Sequence, residues 1–150
     1  MTARIISFNV NGLRSRLHQL EAVIKQHSPD IIGLQETKVS DEEFPHEAIK
    51  ELGYDVHYHG QKGHYGVALL SKSPATAVTR GYPSDAADAQ RRMIHGEFQI
   101  NGQTLHVING YFPQGESRAH PSKFPAKEKF YADLLAYLKN TFSADDLVVV

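Results

Sequence analysis

Cysteine is missing from the sequence, and with it go disulfides, thiolate zinc sites, iron–sulfur clusters and thiol nucleophiles. The absence fits a reducing compartment, and the expected location is the cytoplasm. Long apolar runs are missing too. Nothing approaches the ~20 residues needed to span a bilayer, so no membrane partner is expected. The opening, MTARIISFNV, has one basic residue and an apolar run broken by Ser7 and Asn9. A secretory leader would need a longer apolar stretch and a small-residue cleavage site, so this reads as mature cytosolic sequence. Nor is there an excess of one charge. Sixteen Lys and Arg against seventeen Asp and Glu leave a net charge of -1, too little for a long-range field to steer the molecule onto a polyanion. Such a partner has to meet a local patch. The stretch 114–129, QGESRAHPSKFPAKEK, offers Arg118, Lys123, Lys127 and Lys129 against Glu116 and Glu128, though a solvated loop and helix start accounts for it equally well. With no repeats, linkers or low-complexity tracts, the 150 residues read as one globular unit, 41% hydrophobic and 22% charged.

What is present alternates between two periodicities. RIISFN, residues 4–9, reads as a short buried strand, followed by a helix whose Leu13, Leu17, Leu20 and Ile24 share one face. Ser28 before Pro29 stops that helix, and DIIGLQ forms the next strand, making a strand–helix–strand unit with a parallel pair. Ser40 and Glu43 have capping-box spacing for a helix running to about Leu52, with Gly53 placed to end it. Strands then dominate: YDVHYH, YGVALLS, TAVTR, and RMIHGEFQI joined to QTLHVINGYF by Asn101-Gly102, a tight-hairpin signal. Pro125 suits the first turn of a helix on which Phe130, Leu134, Leu138 and Phe142 share a side. DDLVVV then opens another strand, expected to be buried. Because an apolar strand normally runs on into a loop, residues 1–150 are expected to be the front part of a longer protein, cut at Val150.

Three apolar segments end on polar groups: IISFN on Asn9, IIGLQE on Glu36, and LHVINGY on Asn109 and Tyr111. In sheets flanked by helices, ligands bind beyond strand ends. Asn and Glu offer the hard oxygens that Mg²⁺ prefers, and a Tyr hydroxyl can bond a phosphoryl oxygen. Each has a plainer account: a turn-forming Asn, a Glu paired with Lys38, a half-buried Tyr. His57, His59 and His64 allow a three-histidine zinc site to be drawn, against a solvated strand edge. In HYHGQKGHYG, the glycines at 60, 63 and 66 permit close backbone approach to a ligand, with Lys62 and His64 as donors toward phosphate. Arg91 and Arg92 point to opposite faces, so one can reach a phosphate while the other belongs to the surface.

Together and in order, SFNVNGLRSR, DIIGLQETK, GYDVHYHGQKGHYGVALLSK, AQRRMI and VINGYFPQGES resemble the exodeoxyribonuclease III family, with its apurinic-endonuclease relatives in the exonuclease-endonuclease-phosphatase superfamily. The resemblance covers the whole chain and implies the N-terminal portion of a four-layer, two-sheet α/β sandwich of the DNase I-like kind. It implies a Mg²⁺- or Mn²⁺-dependent DNA-repair hydrolase, monomeric, acting on double-stranded DNA. The implied activities are 3'-to-5' exonuclease, cleavage at abasic sites and 3'-phosphatase on blocked ends. It assigns Glu36 to the metal, Asn9 to organising the metal site, Tyr111 to catalysis, Gln114 to the attacked phosphate, Arg92 to phosphate binding, and Gly63 and His64 to a DNA-contacting loop. The family's later Gly-Asp-x-Asn motif, a further Asp and a Ser-Asp-His motif do not occur here, so the 150 residues alone are expected to be inactive. The alternatives are a superfamily phosphodiesterase acting on RNA or phosphoinositides, and a non-catalytic nucleic-acid-binding module.

Overall fold

Strand β2, Ile31–Gln35, is buried along its entire length, because neighbours cover it on both edges and both faces. On one side it pairs in parallel with β1, Ile5–Asn9, and on the other antiparallel with β4, Val67–Ser71, whose far edge carries β3, Asp55–His59. The first sheet is therefore ordered β1-β2-β4-β3. The second holds β5, Ala77–Arg80, β6, Met93–Ile100, β7, Gln103–Gly110, and β8, Leu147–Val149, with β8 parallel to β7. This computed structural model describes residues 2–150.

Alternation along the strands sorts side chains into separate cores. Ile31, Val67 and Leu69 face Ile94, Phe98, Leu105 and Val107 between the two sheets. The intervening Ile32, Leu34, Ala68 and Leu70 face outward onto Leu20 of α1, Leu17–His27, and Ile49 of α2, His46–Glu51. On the far side Met93 and Ile108 meet Phe130, Leu134 and Tyr137 of α3, Lys123–Thr141. Helices, sheet, sheet and helix thus stack as an α/β sandwich, as the resemblance implied. Each fully buried aliphatic side chain contributes about 1.5–3 kcal/mol to holding these layers together.

The sheets come close at Gly33, where a Cβ would lie 2.9 Å from Cγ of Asn109. The missing side chain makes room for a buried amide between the sheets. Asn109 Nδ2 donates to the carbonyls of Leu34 (2.8 Å) and Ala68 (2.9 Å), and its Oδ1 accepts from Gln35 Nε2 at 2.7 Å. Of the polar strand endings in the sequence, this one is therefore structural.

Most local expectations hold. Ser28 ends α1 in the left-handed region, its N–H bonded to Ile24 O, and Asn101 and Gly102 both take positive φ, as a two-residue hairpin requires. Others do not. No capping box forms at Ser40: residues Asp41–Glu43 make a 3-10 turn and the chain breaks before α2. The cause is Pro45, which holds Phe44 in the extended region (ψ 132). At α3 an unforeseen cap appears, His120 Nδ1 accepting from the N–H groups of Ser122 and Lys123. β8 is not the buried strand expected, since Leu147 and Val149 are exposed. It sits at an edge of the second sheet, paired on one side by β7. No helix among the described residues is long and apolar enough to cross a membrane.

Candidate active site

Both β1 and β2 deliver a polar residue to the same end of the first sheet, because they are parallel and in register, Asn9 lying opposite Gln35. One residue further on, Glu36 turns out of the sheet with φ +54. Asn9 Nδ2 donates to Glu36 Oε1 at 3.0 Å, and Asn9 Oδ1 accepts from the Asn11 N–H at 3.1 Å. Lys38 Nζ lies 3.2 Å from Glu36 Oε2 and 2.6 Å from Asn11 Oδ1. The carboxylate is thus gripped from several directions. Burial raises its pKa, but hydrogen bonds from Tyr111, Asn9 and Lys38 outweigh that, and the net shift is downward. Glu36 is an anion at neutral pH.

Tyr111 arrives from the second sheet, one residue beyond β7, its N–H bonded to Arg92 O at 2.7 Å. Burial, and then its hydrogen bond to Glu36, push the phenol up to about 12, so it is a neutral donor near pH 7. Arg92 Nη1 donates to Tyr111 O at 3.0 Å and Nε to Gln90 Oε1 at 2.7 Å. Its guanidinium lies 4.7 Å from the Tyr111 ring centroid and 4.6 Å from that of Tyr65. Tyr65, Arg92, Tyr111 and Gln114 line one groove of about 430 Å³, with Lys123 on its wall. The structure therefore brings Asn9, Glu36, Tyr111, Arg92 and Gln114 together. Gly63 and His64 stand to the side, joined to the cluster through Lys38 O, which accepts from Gly63 N, and through Tyr65, whose ring lies 5.9 Å from that of His64.

Four non-glycine residues with positive φ gather here: Asn11, Glu36, Lys38 and Tyr65. Such backbone costs about 1–3 kcal/mol per residue and persists only where the surroundings enforce it, as at ligand sites.

The glycines of HYHGQKGHYG divide in role. At Gly60 a Cβ would lie 2.3 Å from Val39 O, and at Gly66 2.2 Å from Thr37 Oγ1, so both serve close approach within the protein rather than to a ligand. Gly63 has open space around it and remains free to meet one. Arg91 and Arg92 do diverge, but Arg91 is no bystander. It bonds Asp41 Oδ2 at 3.0 Å and Gly60 O at 2.6 Å, bracing the glycine loop. The three-histidine zinc site does not form: among the described residues no group of three or more His, Asp or Glu side chains could hold a metal. In the charged stretch, Lys123 pairs with Glu116 and Lys129 with Asp133, which leaves less positive charge than the sequence suggested.

Sequence reasoning missed Tyr65, which reads simply as a strand approach, and gave Lys38 only its pairing role. Nothing in the local pattern marks Tyr65. Its place becomes visible when the two sheets bring 65, 92 and 111 together.

Comparison with known proteins bears on the family and the fold. The model of the Endonuclease/Exonuclease/phosphatase family matches residues 6–150. The chain is 57% identical to exodeoxyribonuclease III of Haemophilus influenzae over 98% of its own length and 55% of that protein's. It is 30% identical to an exodeoxyribonuclease of Bacillus subtilis over 90% of the chain and 52% of that protein. Among solved structures, an AP endonuclease from Archaeoglobus fulgidus superposes with a TM-score of 0.86 at 35% identity, over 98% of this chain and 55% of that one. A Neisseria 3' phosphatase bound to product DNA hairpin superposes with a TM-score of 0.81 at 33% identity, over 93% and 52%. The chain thus spans about half the length of these relatives. With a family match over nearly all its residues and a sandwich that superposes on DNase I-like nucleases, the chain belongs to the endonuclease/exonuclease/phosphatase family.

Proposed function

We propose that the protein is a metal-dependent phosphodiesterase of DNA repair, a 3'-to-5' exonuclease on double-stranded DNA that also cleaves at abasic sites and removes 3' phosphates. The observation that carries the reading is the meeting of an ionised Glu36 with the neutral Tyr111 phenol, which lines one groove together with the Arg92 guanidinium. A carboxylate, a neutral donor and a fixed cation are what a phosphodiester needs: somewhere to seat a metal, a proton to offer, and a charge to hold the phosphate. The names of the relatives favour DNA over RNA or a lipid head group.

The donor set fits Mg²⁺ or Mn²⁺. Mg²⁺ usually takes one or two carboxylates with water and phosphate oxygens filling the rest, and an ammonium, that of Lys38, already lies against Glu36. Glu36 would hold the ion, with Asn9 orienting the carboxylate. When bound, the ion would supply Lewis-acid polarisation of the scissile phosphate. Tyr111, a phenol whose one proton faces Glu36 in this structure, would turn that proton to a non-bridging phosphoryl oxygen when substrate is bound. Arg92 and Gln114 grip the same phosphate, and Gly63 and His64 hold the flanking backbone. The chain spans about half the length of its relatives. We therefore assign residues 1–150 to the N-terminal portion of a single domain and expect them alone to be inactive. The whole protein would act as a monomer.

The test is a substrate panel with the full-length protein: a 3'-recessed duplex, an abasic duplex, a 3'-phosphorylated duplex, an RNA duplex and a phosphoinositide. Cleavage of the DNA substrates, abolished by EDTA and restored by Mg²⁺ or Mn²⁺, is expected. Glu36→Ala should weaken metal dependence, and Tyr111→Phe should lower kcat by about 10²–10³ with little change in binding. Preference for RNA or phosphoinositide, or equal loss of binding and turnover in Tyr111→Phe, would refute the assignment.

A further inference from the structure

Tyr65 occupies a left-handed backbone conformation, φ +55, that a bulky aromatic residue rarely adopts. It is held there by both of the sheets that make the site. Its carbonyl accepts from Lys38 N at 2.9 Å, and the next residue, Gly66, accepts from Thr37 N at 3.1 Å and donates to Arg91 O at 3.0 Å. The backbone of Tyr65 is thereby tied to the Glu36–Lys38 segment on one side and to the arginine pair on the other. Its ring and that of Tyr111, their centroids 6.4 Å apart, both lie against the Arg92 guanidinium, 4.6 and 4.7 Å from its central carbon.

The consequence for Arg92 follows from counting its donors. A guanidinium has five N–H bonds in a fixed plane. Gln90 takes one at 2.7 Å and the Tyr111 carbonyl takes one at 3.0 Å. Packed against both rings, the guanidinium keeps its remaining N–H bonds for the side away from them. An unclamped arginine would have to lose side-chain freedom on meeting a phosphate, whereas this one is already ordered.

We propose that Tyr65 is a positioning residue: it locks Arg92 against Tyr111 and couples the metal-side segment on the first sheet to the phosphate-side pair on the second. The proposal rests on the functional reading above, in which Arg92 and Tyr111 act on the phosphate. Tyr65 itself touches no reacting atom in this account.

Two variants of the full-length protein separate this role from a structural one. Tyr65→Phe keeps the ring and loses the hydroxyl. Tyr65→Asn suits the left-handed backbone and loses the ring. With a 3'-recessed duplex and saturating metal, Tyr65→Asn should lower kcat by about 10–10² with KM changed by less than about threefold, as expected for a misplaced rather than missing group. Tyr65→Phe should keep kcat within about threefold of the parent, and combining Tyr65→Asn with Arg92→Ala should be no worse than Arg92→Ala alone. An unchanged kcat in Tyr65→Asn, or losses that multiply in the double variant, would overturn the proposal. A readout that needs no activity accompanies these. The Arg92 Nε–H NMR signal, shifted by the flanking rings and slow to exchange, should persist in Tyr65→Phe and vanish in Tyr65→Asn. If the parent cuts no substrate in the panel, the functional reading fails, and the NMR signal still decides whether Tyr65 clamps Arg92. Its survival in Tyr65→Asn refutes the clamp.

Discussion

Asn109 offers the sharpest test of how the sandwich is held. The side chain is 6% exposed and lies between the sheets, donating at 2.8 and 2.9 Å to the carbonyls of Leu34 and Ala68 and accepting at 2.7 Å from Gln35. Losing one partner of a buried hydrogen bond costs about 1–3 kcal/mol. The low end applies here, because a carbonyl has a second lone pair and the Gln35 amide keeps Ser7 Oγ at 3.1 Å and Gly33 O at 3.2 Å. Three such losses, with a small cavity, put Asn109→Ala at about 3–4 kcal/mol. Asn109→Asp is nearly isosteric but replaces the donor with an oxygen facing two carbonyls. At neutral pH it should cost more than Ala. Its folded pKa must rise above the ordinary carboxylate value, so the unfolded chain loses its proton first and the penalty grows as pH rises through about 4. The assay is urea unfolding of the full-length variants at pH 4.5 and 7.5, read as a change in midpoint at constant slope. A cost under about 1 kcal/mol for Asn109→Ala, or an Asp variant as stable as Ala at both pH values, would refute this reading of the amide as an inter-sheet tie.

Three further outcomes are expected. His95 is buried on the α3 side of the second sheet, its Nδ1 2.7 Å from the Tyr137 hydroxyl and its Nε2 3.0 Å from His106 Nδ1, with Glu97 3.7 Å from His106 and the Phe142 ring against both imidazoles. Burial and then His106 lower its pKa below 6.5 while Glu97 opposes. The unfolded chain therefore binds the proton first. Stability present above pH 6.5 should fall with acidification by up to about 1.4 kcal/mol per pH unit. Urea midpoints between pH 7.5 and 5.5 should show a shallower slope in His95→Asn, with a remainder from His57 and His59, which are shifted the same way. Gly66→Ala should destabilise by more than about 2 kcal/mol, from strain at φ +87 and a contact of 2.2 Å with Thr37 Oγ1. Gly63→Ala, with positive φ but open surroundings, should cost about 1 kcal/mol by the same unfolding assay and weaken duplex binding instead.

Local pattern carried much of this molecule. The period-two and period-3.6 runs mark the strands and the apolar helix faces, because burial on one side of an element is written into neighbouring residues. Asn101-Gly102 specifies its turn by itself, and Glu36 is legible as a carboxylate emerging from a buried strand. A nearby proline outweighed the capping spacing of Ser40 and Glu43, a competition that short-range rules could have weighed.

The partners of each polar group were decided elsewhere. Asn9 and Asn109 both end apolar runs, yet one orients a carboxylate at the rim and the other ties two sheets, and the difference lies in Gly33 of a distant strand making room between the sheets. Tyr65 carries no mark in its own segment. Its meeting with Arg92 and Tyr111 depends on how two sheets, each internally paired by local rules, stack face to face. Residue order determines which groups reach a strand end. The packing of one sheet on the other determines which of them meet, because that contact joins residues far apart in the chain and no short window of sequence contains it.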